Sequence, residues 1–176
     1  MRTMLIPVVL LVSLAAFRAA GALGVRRFAT WRSAAAHGLA VMLVLTASAH
    51  FAPPSVTVMP TFADMVAMVP PFVPFPEAVV VLTGVLEVAG LVGLVLTRTR
   101  RAAAVCLALL FVAMFPANAY AALAEVTLAG DPATPLPQRL LEQLLYIGVA
   151  VFVAWPARGA AAETPAEDDA EALSRR

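Results

Sequence analysis

The chain has 176 residues, of which 62% are hydrophobic and 13% are charged, and its mean hydropathy is +0.90. Soluble domains contain about 45–50% apolar and about 25% charged residues. The composition therefore excludes a soluble enzyme, a nucleic-acid-binding domain and a disordered chain. The single cysteine, Cys106, excludes an intrachain disulfide and a four-thiolate metal site. What remains is an all-α integral membrane protein, a helical bundle whose first partner is the lipid bilayer.

Five segments predict transmembrane helices, since a spanning helix needs roughly 20 mostly apolar residues. They cover about residues 3–24, 33–52, 77–97, 102–123 and 139–156. Residues 1–158 thus form one transmembrane domain. Residues 159–176 are rich in alanine and carboxylates, and we expect them to form a disordered acidic cytoplasmic tail.

The arginines predict the orientation. All 12 basic residues are arginines, and most of them follow the first, third and fifth spans, whereas the loops 53–76 and 124–138 contain none. Positively charged loops stay on the cytoplasmic side. This alternation predicts a multi-pass protein of the bacterial inner membrane with its C-terminus in the cytoplasm.

The first span has a second interpretation. A basic start, an apolar run and the small residues 20–22 are typical of a cleaved signal peptide. Cleavage there would place Arg26 and Arg27 outside and break the alternation of charge. We therefore favour a retained helix.

The loop 53–76 contains seven prolines and is predicted to be structured. Thr61 and Asp64 have the spacing of a capping box, and Pro70 would end a helix that starts there. We expect a short helix over residues 61–69 on the outer surface. It is either a connector between two spans or a lid over a site below it.

Ionisable and amide side chains inside a membrane are costly and mark candidate sites. Glu87 lies ten residues into the third span, about 15 Å deep by helical rise. The other candidates lie nearer the outer side. The candidate intramembrane polar site consists of His50, Glu87, Asn118, Arg139 and Gln143. No catalytic residue and no metal site is assigned.

Each candidate also has a structural interpretation. Glu87 has glycines three positions to either side, so it is either a buried tether between helices or a group that handles protons or ligand. His50 is otherwise an interfacial anchor, Asn118 a stabiliser of the kink at Pro116, and Gln143 a snorkelling residue. His50 and Arg139 are the basic groups placed to neutralise Glu87.

Several motifs, in order, resemble one known family from about residue 33 to 156. They are Ala49-His50-Phe51, Met68-Val69-Pro70-Pro71, Thr83-Gly84-Val85-Leu86-Glu87, Thr99-Arg100-Arg101-Ala102-Ala103, Phe115-Pro116-Ala117-Asn118, and Pro137 with Arg139 and Gln143. The set resembles the DoxX-like small bacterial membrane proteins. The resemblance implies a four-helix core, to which residues 3–24 add an extra N-terminal transmembrane helix.

The resemblance also implies an association with membrane oxidoreductases. The first hypothesis is a non-catalytic or quinone-facing subunit of such a system, with a quinone as its cofactor, none bound covalently, and an oxidoreductase protein as its partner. The alternatives are a membrane scaffold without chemistry of its own and a small proton-coupled transporter, which a homo-oligomer would suit. No nucleic-acid partner is expected.

Overall fold

The computed structural model describes residues 4–156, and the predicted acidic tail, residues 159–176, lies outside them. The described chain is mostly helical, with a 3₁₀ turn at Arg26–Phe28 and one small hairpin. Its helices are α1 Leu5–Ala22, α2 Trp31–Ala49, α3 Phe62–Ala67, α4 Pro76–Val95, α5 Arg100–Leu123 and α6 Leu136–Ala154, and the hairpin consists of β1 Thr127–Leu128 and β2 Asp131–Pro132.

Five of these helices, α1, α2, α4, α5 and α6, are long and apolar enough to cross a membrane. They overlap the five ranges that hydropathy predicts. The largest shifts are at the end of α2, which ends at Ala49 rather than at residue 52, and at the start of α6, which begins at Leu136 rather than at residue 139. The first turn of a helix tolerates proline because its N–H groups have no partner within the helix, so Pro137 belongs to the helix and not to the loop.

Four of the long helices close into a ring. Helix α2 packs on α4, α4 on α5, α5 on α6, and α6 back on α2, while α1 packs on α2 from outside the ring. Helix α2 is the most buried of the five, and half of its buried positions are alanine. Small residues allow neighbouring helices to approach closely: a Cβ on Gly38 would lie 2.9 Å from the backbone nitrogen of Leu14 in α1.

Arginines bind the helix ends together on one side of the bundle, which we call the arginine end. Arg27 Nη2 donates to the Val95 carbonyl at 3.2 Å, and Arg32 Nη2 donates to the Pro156 carbonyl at 3.0 Å. The last carbonyls of a helix have no partner within it. The arginines therefore satisfy the ends of α4 and α6 and hold the start of α2 against both.

The opposite side, the loop end, carries α3 and the hairpin. The capping box is present: the Thr61 hydroxyl accepts from the Asp64 N–H, and an Asp64 carboxylate oxygen accepts from the Thr61 N–H at 2.7 Å. The same carboxylate accepts from the Ala129 N–H at 3.4 Å and so ties the hairpin to α3. Ala129 and Gly130 have φ of 50° and 83°, as a type I′ turn requires. This hairpin was not among the elements predicted from the sequence.

Candidate functional site

Four polar side chains meet where α2 packs against α4. Thr46 and His50 are four residues apart at the end of α2, and Thr83 and Glu87 are four residues apart within α4. Side chains at this spacing lie on one face of a helix. Because the two helices run antiparallel, Thr46 lies opposite Glu87 and His50 lies opposite Thr83. We call these four residues the polar cluster.

Hydrogen bonds join the two sides of the polar cluster. The Thr46 hydroxyl donates to Glu87 Oε2 at 2.7 Å, and the Thr83 hydroxyl oxygen lies 3.3 Å from His50 Nδ1. His50 Nε2 lies 4.0 Å from Glu87 Oε1. His50 is 4% exposed and Glu87 is 2% exposed. His50 is therefore not an interfacial anchor, and Glu87 does not face lipid.

Gly84 makes this close approach of α2 and α4 feasible. A Cβ at this position would lie 2.6 Å from His50 Cβ and 2.9 Å from Phe51 Cζ. Carbon atoms in contact prefer about 3.5–4.0 Å. The absence of a side chain at Gly84 thus sets how closely His50 approaches Glu87.

The hydrogen bonds define where protons can reside in the polar cluster. His50 Nδ1 lies 2.8 Å from the Val80 carbonyl, and a carbonyl can only accept, so Nδ1 carries a proton. Nε2 then faces Glu87 Oε1. One proton between these atoms gives either a neutral acid beside a neutral imidazole or a carboxylate beside an imidazolium. The pair is electrically neutral in both arrangements, which suits a buried location.

A cavity of about 270 Å³ lies beside the polar cluster, between α3, α4 and α5. Its polar lining consists of His50, Thr83 and Asn118, and the rest is formed by methionine, valine, proline, alanine and phenylalanine side chains. Met65 of α3 forms part of its wall. The exposed lining residues Phe72, Ala113 and Pro116 indicate that it opens to the surface between α4 and α5.

His50 connects the cavity to the interior of the polar cluster. Glu87 is not among the cavity-lining residues, and His50 lies between the two. A group bound in the cavity would therefore contact the imidazole first and the carboxyl group only through it. Helix α3 contributes Met65 to the wall of this cavity, and the lid interpretation stays a prediction.

The remaining two candidate residues, Gln143 and Arg139, belong neither to the polar cluster nor to the lining of the cavity. Gln143 of α6 is buried and donates from Nε2 to the Phe111 carbonyl of α5. This carbonyl is next to that of Val112, which loses its helical partner because Pro116 has no N–H. Gln143 therefore does not snorkel; it ties α6 to the proline turn of α5.

Arg139 pairs with a carboxylate on its own helix and not with Glu87. Its Nη1 lies 3.7 Å from Glu142 Oε2, and Gln138 Nε2 donates to Glu142 Oε1 at 2.9 Å. The five candidate residues are thus divided. His50, Glu87 and Asn118 surround or adjoin one cavity, whereas Gln143 ties α6 to α5 and Arg139 pairs with Glu142 within α6.

Thr46 and Thr83, the two hydroxyl partners of the polar cluster, were not predicted from the sequence. Both stand four residues before a candidate, Thr46 before His50 and Thr83 before Glu87. This repeated spacing could have identified both residues as members of the site, because it places each hydroxyl group one turn away from a candidate side chain on the same helix face.

Residues 4–156 contain no group of three or more His, Cys, Asp or Glu side chains that could hold a metal ion.

Comparison of the chain with curated proteins and with solved structures finds no match. One family model, described as a domain of unknown function (DUF8561), matches residues 39–157. This match covers the polar cluster, the cavity and the ring of four helices from Leu39 onward, and leaves α1 outside. The chain belongs to the DUF8561 family.

Proposed function

We propose that this is a multi-pass protein of the bacterial cell membrane with five spans and a cytoplasmic C-terminus. Two observations support the proposal: the five long apolar helices, and the arginines gathered at one end of the bundle. The resemblance of its motifs to DoxX-like proteins supports the same location.

Within the membrane, the proposed function is that of a quinone-facing subunit of an oxidoreductase system. The observation that carries this proposal is an apolar cavity with His50 in its wall and the buried Glu87 directly behind His50. Small-molecule sites are mostly apolar, with a few convergent polar groups. A carboxyl group at this depth is a functional candidate by default.

The residues of the cavity fit a quinone head group. The volume of the cavity, about 270 Å³, lies just below the usual volumes of small-molecule pockets, which are roughly 300–1,000 Å³. It therefore suits a ring and leaves an isoprenoid tail in lipid, through the opening beside Phe72 and Ala113. A bound quinone would accept two electrons and two protons on reduction.

The chain itself would position the ring and handle protons. Thr83 and His50 present a hydroxyl group and an imidazole at the cavity wall. The His50–Glu87 pair would hold one proton: if it left through His50, Glu87 would remain as a carboxylate, whose charge the Thr46 hydroxyl would stabilise. The pair would then have to take up a proton again before it could give a second one. An oxidoreductase partner would supply the electrons.

The test is quinone binding by protein purified in mild detergent. We expect the full chain to retain a quinone and to bind a short-chain analogue saturably. Ala117→Phe places a ring in the cavity and should abolish binding while the helical content stays unchanged. Leu109→Phe, on the exposed face of the same helix, is the matched control and should bind as the parent does.

Three results would contradict the proposal. One is absence of saturable binding by the parent, and another is equal binding by Ala117→Phe and the parent. The third is recovery of a homo-oligomer that carries neither quinone nor partner protein, which would favour the transporter hypothesis instead.

A further inference from the structure

A second concave surface lies at the arginine end, between the start of α2, the start of α5 and the end of α6. It has a volume of about 710 Å³. Its lining includes Arg32, Arg100, Arg101, Trp31 and Trp155. We call it the basic groove.

Backbone carbonyls hold two of the three arginines in place. Arg32 Nη2 donates to the Pro156 carbonyl at 3.0 Å, and its guanidinium carbon lies 6.0 Å from the centre of the Phe152 ring. Arg100 Nε donates to the Leu94 carbonyl at 2.9 Å. A guanidinium has five N–H donors, so donors remain for a further partner, and the side chains are already positioned to offer them.

No carboxylate among residues 4–156 balances this charge. Of the described acidic residues, the one nearest to the arginine end along a helix is Glu87, which precedes Val95 of α4 by eight residues, about 12 Å of helical rise. The other described carboxylates belong to the loop end or to the first two turns of α4 and α6: Asp64, Glu77, Glu125, Asp131 and Glu142. The basic groove therefore presents three positive charges with no carboxylate of residues 4–156 placed beside them.

We propose that the basic groove binds the phosphate group of an anionic phospholipid. Guanidinium groups match phosphate oxygens in a bidentate geometry. Trp31 and Trp155 are 58% and 61% exposed, and tryptophan concentrates at the level of lipid head groups. Phe152, which is also exposed, continues the apolar surface toward the membrane interior for the acyl chains.

The proposal rests on the membrane location proposed above but not on quinone chemistry. Basic pockets between transmembrane helices on the cytoplasmic side are suited to anionic head groups. The groove opens at the end of the bundle opposite to the cavity beside His50, so occupancy of one can be measured independently of the other.

Tryptophan fluorescence reports on this groove directly, because both tryptophans of the chain line it. The full chain is reconstituted in nanodiscs that contain phosphatidylcholine and phosphatidylglycerol. In one sample the phosphatidylglycerol carries brominated acyl chains, and in the other the phosphatidylcholine does, at equal total bromine. We expect stronger quenching from brominated phosphatidylglycerol. Equal quenching in the two samples would overturn the proposal.

Charge-matched variants separate the groove from general surface charge. Arg32→Gln with Arg101→Gln should remove the preference, since each arginine near an anionic surface contributes roughly a fivefold change in affinity. Arg26→Gln with Arg98→Gln removes the same charge from exposed positions outside the groove and should leave the preference intact. If the control pair loses the preference equally, the groove is not the site. Arg101→Gln alone, at an exposed position, serves if the double variant fails to fold.

Two further arms test other anions. If inorganic phosphate shifts tryptophan emission in neutral detergent while the brominated lipids show no preference, the groove binds free phosphate and the lipid proposal is wrong. If the lipid preference appears only after the five carboxylates of residues 163–171 are replaced by amides, the chain's own acidic segment occupies the groove, which also overturns the proposal. Quinone binding measured on the same samples distinguishes a failure here from a failure of the cavity.

Discussion

Gly84→Ala tests whether the contact between α2 and α4 holds the polar cluster together. The added methyl group would lie 2.6 Å from His50 Cβ and 2.9 Å from Phe51 Cζ, an overlap of about 1 Å relative to ordinary carbon contacts. His50 Cβ is attached directly to the backbone, so the clash cannot be relieved by rotating a flexible side chain. We expect the two helices to separate.

The magnitude follows from three contributions to the free energy of unfolding. Overpacking of a core costs about 1–3 kcal/mol. Separation by about 1 Å would stretch the Thr46–Glu87 hydrogen bond from 2.7 Å beyond the usual range and remove about 1 kcal/mol more. Replacement of glycine by alanine inside a helix returns about 0.5–1 kcal/mol. The expected net destabilisation is about 1–3 kcal/mol.

Two other glycines provide matched controls. A Cβ at Gly90 would lie 2.5 Å from Cδ2 and 2.7 Å from Cγ of Leu107, atoms that can move by side-chain rotation, and a Cβ at Gly148 would meet nothing within 4 Å. The free energy of unfolding, measured by denaturant titration in micelles and followed by circular dichroism, should fall most for Gly84→Ala, less for Gly90→Ala, and stay equal or rise for Gly148→Ala. Equal free energies of unfolding for Gly84→Ala and Gly148→Ala would show that the contact between α2 and α4 does not depend on the missing side chain at Gly84.

Three further predictions concern single features. Glu87→Gln keeps an acceptor for Thr46 and should change the free energy of unfolding by less than about 1 kcal/mol while impairing function, whereas Glu87→Leu leaves Thr46 and His50 without that partner and should cost about 1–3 kcal/mol; equal function in Glu87→Gln and the parent would make Glu87 only a tether. Thr61→Ala should destabilise α3 by about 0.5–2 kcal/mol and speed amide exchange at Asp64 without a matching change in α4; unchanged exchange would speak against the capping box. An alkaline phosphatase fused to the C-terminus should be inactive, since the arginine end is expected in the cytoplasm; periplasmic activity would reverse the proposed orientation.

The helices could be predicted from the sequence because a spanning helix must be uniformly apolar over about 20 residues. Helix α3 could also be predicted, for a different reason: the spacing of Thr61 and Asp64 and the prolines around them restrict the backbone locally. The hairpin could not be predicted in this way. Its strands have two residues each, too few for an alternating pattern, and its turn is formed by Ala129 and Gly130.

The candidate site was predictable only in part. The depth of Glu87 and the position of His50 follow from counting along helices, but which faces meet depends on packing. Thr46 and Thr83 are only weakly polar and can bond to carbonyls of their own helix, as Thr83 also does with Val79 at 2.9 Å. Their presence therefore gave little reason to assign them to a site. Arg139 could have been assigned to Glu142, because side chains three residues apart are neighbours on a helix.

Helix α2 is at once the most enclosed span and, with α6, the least apolar of the five. Nine of its 19 residues are alanine, glycine or serine, and such small side chains give a helix only a weak tendency to partition into lipid during synthesis. Helix α1, which lies outside the family match, precedes α2 and packs along it. We expect α1 to insert first and to pack on α2 until α4 and α6 have been inserted. A chain that lacks α1 would then fail to insert correctly into the membrane, even though the polar cluster and the cavity contain none of the residues of α1.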